Sequence, residues 1–368
     1  MKLNGHAMRP IRVDASDGMI CVIDQTRLPH QLEILKITTP DEMADAIRRL
    51  VVRGAPLIGA SGAYGMYLAA IMSSGLSDPD TALADAARQL ISARPTAVNL
   101  AWAVNRMLSR IRAADSGQDR ISVALREANA IVDFEIDNCR KIGNNGLSLI
   151  RQISGKKPGQ TVHILTHCNA GWLACIEYGT ATAPIYAAFD AGIDIHVWVD
   201  ETRPLNQGAR LTAWELGQYG VPHTLITDNA GGHLMQHGLV DMVIVGADRV
   251  ARSGDAANKI GTYLKALAAR DNQIPFYVAI PSTTFDWTLQ NGVRDIPIEI
   301  RDPDEVRYVD GLHDGTLARV LVSSAGCPVA NYAFDVTPAR LITGLITERG
   351  VCAAAESDIL ALYPERAC

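Results

Sequence analysis

The chain has 368 residues, 48% hydrophobic and 20% charged, enough to bury a sizeable core and too apolar for a disordered polymer. It exceeds the roughly 250–300 residues at which a single core tends to divide, so two domains are the default. Lys and Arg total 34 against 40 Asp and Glu, a net charge of −6 without long runs of one sign, which argues against a nucleic-acid protein with its basic stripe. An anionic small substrate stays open, because one well-placed Arg is enough for a phosphate. The seven cysteines (21, 139, 168, 175, 327, 352, 368) are irregularly spaced with no C-x-x-C pair, which points to reduced thiols and a cytosolic setting. Met1 to His6 lacks the apolar run of a signal peptide, and no apolar stretch of about 18 residues is read that would offer a membrane span.

In chain order, Ile20 to Asp24 is β-prone, and Asp24-Gln25-Thr26-Arg27-Leu28-Pro29 breaks it. Thr39-Pro40-Asp41-Glu42 predicts a helix start, with a Thr cap, Pro at the first position and acids in the first turn. Met43, Ala46, Ile47 and Leu50 continue it at helical spacing. Further helices are predicted over 56–74, 79–93, 96–114 and 119–151, with a break at Ser154-Gly155-Lys156-Lys157-Pro158-Gly159. Beyond it, β-branched runs at 162–166, 195–199, 223–226, 242–245 and 276–280 alternate with helical stretches such as 172–190, 208–219 and 258–270. That alternation predicts a doubly wound parallel sheet, with ligands beyond the carboxyl ends of its strands. Thr166 to Asn169, Asp200 to Gln207 and Gly246 to Arg249 fall at such ends.

Arg53-Gly54-Ala55-Pro56 precedes a helix carrying Gly59, Gly62 and Gly65. A helix start offers unpaired N–H groups, Gly54 lets backbone approach an anion, and Arg53 adds a charged fork. The plainer alternative is a Pro-started helix with small residues for packing. Arg94-Pro95-Thr96 repeats the arrangement at another helix start, where the residue before proline is held extended. Cys168 follows a buried-looking strand and precedes Asn169-Ala170-Gly171, where the chain turns into a helix. A helix N-terminus there would lower the thiol pKa and suit a base or nucleophile; a small inert residue in a tight turn is the competing reading. Asp248 ends the run Met242 to Ala247, and a carboxyl at an apolar strand edge should have the raised pKa of a general acid. Pairing with Arg249, or hydrogen bonding to sugar hydroxyls, are alternatives. Asn258 and Lys259, placed where Gly254 to Lys259 opens the next helix, are either ligands for hydroxyl or phosphate oxygens or solvated first-turn residues. His233 and His237 are four apart but lack the Glu of the metalloprotease pattern, and neither G-x-G-x-x-G after a strand nor a Walker loop occurs.

Read together, DQTRLP (24–29), RGAPLIGASGAYG (53–65), RPTAVNLAWAVNRM (94–107), THCNAGWLA (166–174), DETRPLNQGARLTAWEL (200–216), GADRVARSGDAANKIGTY (246–263), IPSTTFDWTL (280–289), PIEIRDPDEV (297–306) and FDVTPARLITGLITERG (334–350) resemble the 5-methylthioribose-1-phosphate isomerase family of methionine salvage. The likeness spans nearly the whole chain in order. It implies a mainly helical N-terminal domain over 1–150 with a short β start, and a Rossmann-like catalytic domain over 151–368. It also implies a cytoplasmic homodimer without metal or redox cofactor, acting on a small phosphosugar. Carried onto matching positions, Cys168 looks like the catalytic thiol and Asp248 the proton donor. Arg53, Gly54, Ala55, Arg94, Gln207, Asn258 and Lys259 look like the substrate-holding set. One departure is Asn331-Tyr332-Ala333, where the family pattern has proline after the asparagine. Isomerases of ribose 1,5-bisphosphate or 5-deoxyribose 1-phosphate, and the non-catalytic regulatory subunits of the initiation-factor exchange complex, are the rival readings.

Overall fold

A computed structural model describes residues 1–3, 6–115 and 117–367; Cys368 lies outside them. The chain opens with a short hairpin, β1 (Lys2–Leu3) and β2 (His6–Ala7). The antiparallel strands β3 (Ile11–Val13), β4 (Ile20–Ile23) and β5 (Ile34–Ile37) follow. Helix α1 (Pro40–Arg48) starts as predicted: the Thr39 hydroxyl accepts from the Glu42 amide and the Glu42 carboxylate accepts from the Thr39 amide, a complete capping box. Helices α2 (Ala55–Ser73), α3 (Pro79–Ala93), α4 (Val98–Arg112) and α5 (Gly117–Lys156) pack into one core with β3 and β4.

Helix α2 sits at the centre of that core. By length and composition it would suffice to cross a membrane, yet 83% of its apolar window is buried inside the protein. The expectation that no such stretch occurs is therefore corrected: Gly, Ser and Tyr residues within the run disguise it in the sequence. The predicted break at Ser154 lies inside α5, which continues to Lys156; the turn is made by the Pro158-Gly159 stretch instead.

The second half is built on strands β6 (Val162–Thr166), β7 (Ile195–Asp200), β8 (His223–Ile226) and β9 (Met242–Val245). They are followed by β10 (Arg249–Ala251), β11 (Ala256–Lys259), β12 (Phe276–Ala279) and β13 (Phe285–Asp286). An exposed hairpin, β14 (Tyr308–His313) and β15 (Thr316–Leu321), precedes β16 (Phe334–Thr337), β17 (Gly344–Thr347) and β18 (Gly350–Cys352). Seven strands form the main sheet in the order β18-β17-β12-β9-β6-β7-β8, all parallel except the β17–β18 pair. Neighbouring residues alternate between its faces: Ile164 and Ile244 join one buried cluster with α5 side chains, whereas Leu165 and Val243 join another. This is the doubly wound α/β sheet that the sequence predicts. A smaller sheet, β13-β10-β11-β16, flanks it.

The chain leaves β6 for β7 and β8 on one side, then returns to β9, β12 and β17 on the other. The strand order therefore reverses between β6 and β9, and the crevice at such a switch point is where open α/β sheets bind ligands.

Helix α5 ties the halves together: Ile131 and Val132 lie in the helical core and Ile142 and Ile150 in the sheet core. Between them Glu135 is buried, its Oε1 accepting from Thr283 Oγ1 at 2.9 Å, while Asn99 Nδ2 donates to that hydroxyl at 3.0 Å. Burial pushes the Glu135 pKa up to about 7 from 4.5. A raised folded-state value means the native state binds more protons than the unfolded chain between these pH values. Its contribution is present below the unfolded pKa and is lost as pH rises through about 7. Glu135→Gln should therefore flatten the fall in unfolding free energy between pH 5 and pH 8 by about 3 kcal/mol. Denaturant melts of both proteins across that range check this; parallel pH profiles would refute it.

Candidate active site

Two of the main sheet's strands deliver the two residues expected to react. Cys168 stands two residues beyond β6 and Asp248 three beyond β9, adjacent strands at the switch point. Cys168 is buried, with a left-handed φ of 64°. Its amide donates to Thr202 Oγ1 at 2.8 Å, and its carbonyl accepts from Thr212 Oγ1 at 2.6 Å. Both backbone groups of the strained residue are thus fixed.

Two adjoining cavities share Arg53, Gly54, Cys168 and Asp248 as lining. The first adds Ala55 and Asn258, and the second adds Arg94, Gln207 and Lys259. The two residues expected to react and the seven expected to hold the substrate thus line one place. Arg53 and Arg94, whose convergence sequence alone does not show, line the same cavity. Arg301 lines it too, and leads into an outer cleft of about 480 Å³.

Arg53 forks onto Asn169, with Nη1 on the side-chain Oδ1 and Nη2 on the main-chain oxygen, each at 2.7 Å. Gly54 caps α2 at φ 94°, where a Cβ would come within 2.4 Å of the Ala174 Cβ. Only glycine permits this approach of the helix start to the Cys168 loop. Arg94 donates to Glu299 at 3.0 Å, and Arg301 reaches the other oxygen of Glu299 at 2.8 Å. Arg94 Nε and Gln207 Oε1 are buried without a hydrogen-bond partner among the described residues. Orphaned polar atoms lining a cavity are what a polar ligand satisfies.

Three expectations need correction. First, Asn258 and Lys259 do not open a helix. They end strand β11, held between β10 and β16, and α10 begins only at Thr262 (Thr262–Asp271). They are buried rather than solvated, Asn258 donating to Thr262 Oγ1 at 3.0 Å and Lys259 lying 4.9 Å from the Phe334 ring centre. Second, the stretch 172–190 is two helices, α6 (Trp172–Cys175) and α7 (Thr182–Asp190), separated by left-handed Ile176, Tyr178 and Gly179. Third, the Cys168 thiol pKa is raised, not lowered. Burial dominates, although Arg53 and Lys259 act in the opposite direction.

Asp248 behaves as its strand-edge position predicts. Burial raises its pKa, against the opposing charges of Lys259, Arg94 and Arg53, with Glu299 adding to the rise. Arg249 does not pair with it, but turns to Asp286 at 3.4 Å and to the Thr96 carbonyl at 2.5 Å. Burial lowers the Lys259 pKa, Cys168 and Asp248 opposing.

Sequence reasoning missed the supports behind this pocket. His167 Nδ1 lies 3.0 Å from Asp200 Oδ2, and Nε2 lies 2.9 Å from the Ile260 carbonyl. A carbonyl only accepts, so Nε2 carries a proton and joins the Cys168 loop to the turn after Lys259. His167, Asp200 and Asp228 are close enough to resemble a metal-binding group, but the Lys265 ammonium, 3.1 Å from Asp200 Oδ2, supplies the positive charge there. Their side chains are spread over four segments of sequence, so no local motif marks them. His233 and His237 lie against each other with tilted rings, centres 4.2 Å apart, and line neither cavity of this pocket. The six described cysteines are all free thiols. At the departure from the family pattern, Asn331 Nδ2 donates to the Asp302 carbonyl at 2.8 Å and to Glu305 at 3.0 Å, while Tyr332 bridges to Ile300.

Fold and pocket define an α/β protein with an anion-ready switch-point crevice, and residues 51–354 match the Initiation factor 2 subunit family. Methylthioribose-1-phosphate isomerase of Desulfatibacillum aliphaticivorans is 60% identical over 367 residues, covering 100% of both chains. The protein of the same name from Methylorubrum extorquens is 56% identical, covering 100% of this chain and 99% of its own. Among solved structures, 5-methylthioribose 1-phosphate isomerase from Pyrococcus horikoshii superposes with a TM-score of 0.84 at 36% identity, covering 98% of this chain and 96% of that one. A chain solved as translation initiation factor eIF-2B, subunit delta, from A. fulgidus gives a TM-score of 0.80 at 39% identity, covering 97% of this chain and 100% of that one. The chain belongs to the methylthioribose-1-phosphate isomerase family, and it is an isomerase.

Proposed function

We propose that this enzyme converts 5-methylthioribose 1-phosphate to 5-methylthioribulose 1-phosphate in methionine salvage, as a cytoplasmic homodimer, with Asp248 as general acid and Cys168 as the thiol at the reacting carbons. The observation that carries the reading is the meeting of Cys168 and Asp248 at the ends of adjacent strands, in one pocket with Arg53, Arg94 and Lys259. The relatives' names supply the substrate.

Its anomeric oxygen carries phosphate, so the ring cannot open by simple hemiacetal chemistry. An acid must protonate the ring oxygen, and it must be protonated near neutrality to do so. Burial holds Asp248 toward that state. A bound phosphate would offset the nearby cations that oppose the shift, favouring the protonated acid further. Arg53 and the first turn of α2 at Gly54 and Ala55 are assigned to the phosphate, with Arg94 and Lys259 beside them. Gln207 and Asn258 are assigned to sugar hydroxyls. Hydrogen must then pass from C2 to C1, either as a proton through Cys168 or as a direct hydride shift with Cys168 supporting charge.

Turnover of the methylthio sugar, 5-deoxyribose 1-phosphate and ribose 1,5-bisphosphate by the purified protein tests the assignment. The methylthio sugar is expected to give the highest kcat/KM. Preference for either rival would reassign the substrate. No turnover of any of the three, with tight binding to a partner protein or a nucleotide, would favour the regulatory-subunit reading instead.

A further inference from the structure

We infer that Glu215, which does not line the pocket, is the positioning residue that aims Arg53 at the substrate's phosphate, acting through Asn169. The inference rests on the phosphate role proposed for Arg53.

Glu215 belongs to α8 (Ala213–Tyr219) and is fully buried. Four donors converge on its carboxylate: the Trp172 and Leu173 amides at 3.2 Å each, the Tyr186 hydroxyl at 3.1 Å and Asn169 Nδ2 at 3.3 Å. A buried carboxylate left with fewer partners would be costly, so this constellation is a built one. Gly171 makes room for it, since a Cβ there would stand 1.5 Å from Glu215 Oε1.

The consequence falls on Asn169, whose amide has two ends of nearly equal shape and opposite polarity. Glu215 Oε2 and Thr212 Oγ1 both accept from Nδ2, the latter at 3.1 Å. The Thr212 hydroxyl hydrogen is already committed to the Cys168 carbonyl. The NH₂ end therefore points toward α8, and Oδ1 is compelled to face Arg53 Nη1. Together with the Asn169 main-chain oxygen on Nη2, this fixes the plane of the guanidinium beside Cys168. If Glu215 were an amide, its own NH₂ could meet Asn169, leaving Thr212 Oγ1 as the one acceptor that holds the NH₂ end toward α8, and the preferred sense would weaken. Arg53 would then face a donor in part of the population.

The test is a double-mutant cycle of Glu215→Gln with Arg53→Ala, read by the competitive inhibition constant of inorganic phosphate, by KM and kcat for the sugar phosphate, and by the thermal unfolding midpoint. Glu215→Gln is expected to weaken phosphate and raise KM by about tenfold, the scale of one charge-assisted hydrogen bond. The effect on kcat should be much smaller, and the change in phosphate affinity should vanish in the Arg53→Ala background. Should the Gln variant not fold, Glu215→Asp enters the same cycle, because its shorter side chain keeps a carboxyl but cannot reach Asn169 and both amides together. An effect that adds fully to Arg53→Ala, or unchanged phosphate affinity in the Glu215 variants, overturns the positioning role while leaving Arg53 as anion ligand. Unchanged phosphate affinity in Arg53→Ala alone overturns both.

Discussion

Asp248→Asn is expected to lower kcat by about 10²–10⁴-fold, the usual contribution of a general acid, with little change in KM or in the unfolding midpoint. The amide keeps the size of the carboxyl and can donate a hydrogen bond to the ring oxygen, but it cannot release a proton to it. Stability should hold because the half-buried Asp248 carboxyl makes no ion pair or hydrogen bond among the described residues that Asn would break, and its main-chain amide already donates to the Ala257 carbonyl at 2.9 Å. Replacing a half-buried titratable acid by a neutral isostere removes a desolvation cost rather than a packing contact. The wild-type pH profile should carry the complementary mark. Burial raises the Asp248 pKa, so the protonated, competent form persists to higher pH than an ordinary carboxyl allows, and activity falls as pH rises through that value. The limb should be missing from the residual activity of the Asn variant. Near-full activity in the purified variant, or an unchanged alkaline limb, would remove Asp248 from the acid role.

Much of this pocket was legible in sequence because strand ends and helix starts advertise themselves. The run Met242 to Val245 reads as a buried strand, and the first polar group beyond it is Asp248. Arg53-Gly54 and Arg94-Pro95 mark boundaries through backbone chemistry that does not depend on partners. What sequence could not supply was mainly tertiary. Asn258 and Lys259 follow a Gly-Asp pair and look like a first helical turn, yet pairing with Phe334 and Asp335, about 75 residues on, draws them into a strand. Glu215 sits in Trp214-Glu215-Leu216, where an acid on an amphipathic helix normally faces water; only the fold brings the Trp172 and Leu173 amides and Tyr186 onto it. Glu299 carries no local sign that it holds Arg94, far earlier in the chain, with Arg301 on its other oxygen. The sign of the Cys168 shift failed for a related reason. A helix start was visible locally, whereas burial by α2, β11 and the Thr202 and Thr212 segments was not.

That reversed sign bears directly on how hydrogen moves from C2 to C1. A thiolate base needs Cys168 ionised, but burial raises its pKa, against Arg53, Lys259 and the Asn169 amide, which favour the thiolate. A phosphate dianion bound among those cations would screen the attraction that favours the thiolate. The thiol should thus be harder to ionise in the substrate complex than in the free enzyme. Alkylation of Cys168 by iodoacetamide should accordingly be slow near neutrality and accelerate with pH. Arg53→Ala should move the acceleration to higher pH, since removing the cation raises the thiol pKa further. On these grounds the hydride shift is the expected route: in D₂O the C2 hydrogen should reappear at C1 with little solvent deuterium. Cys168→Ser should still lose about 10²-fold or more in kcat, because the smaller, harder oxygen replaces a polarisable sulfur against the reacting carbons, while Thr202 and Thr212 continue to hold the backbone. Substantial deuterium at C1, together with rapid alkylation at neutral pH, would instead make the thiolate the base and show that the bound state lowers its pKa. Full activity of the Ser variant would leave sulfur without a part in either route.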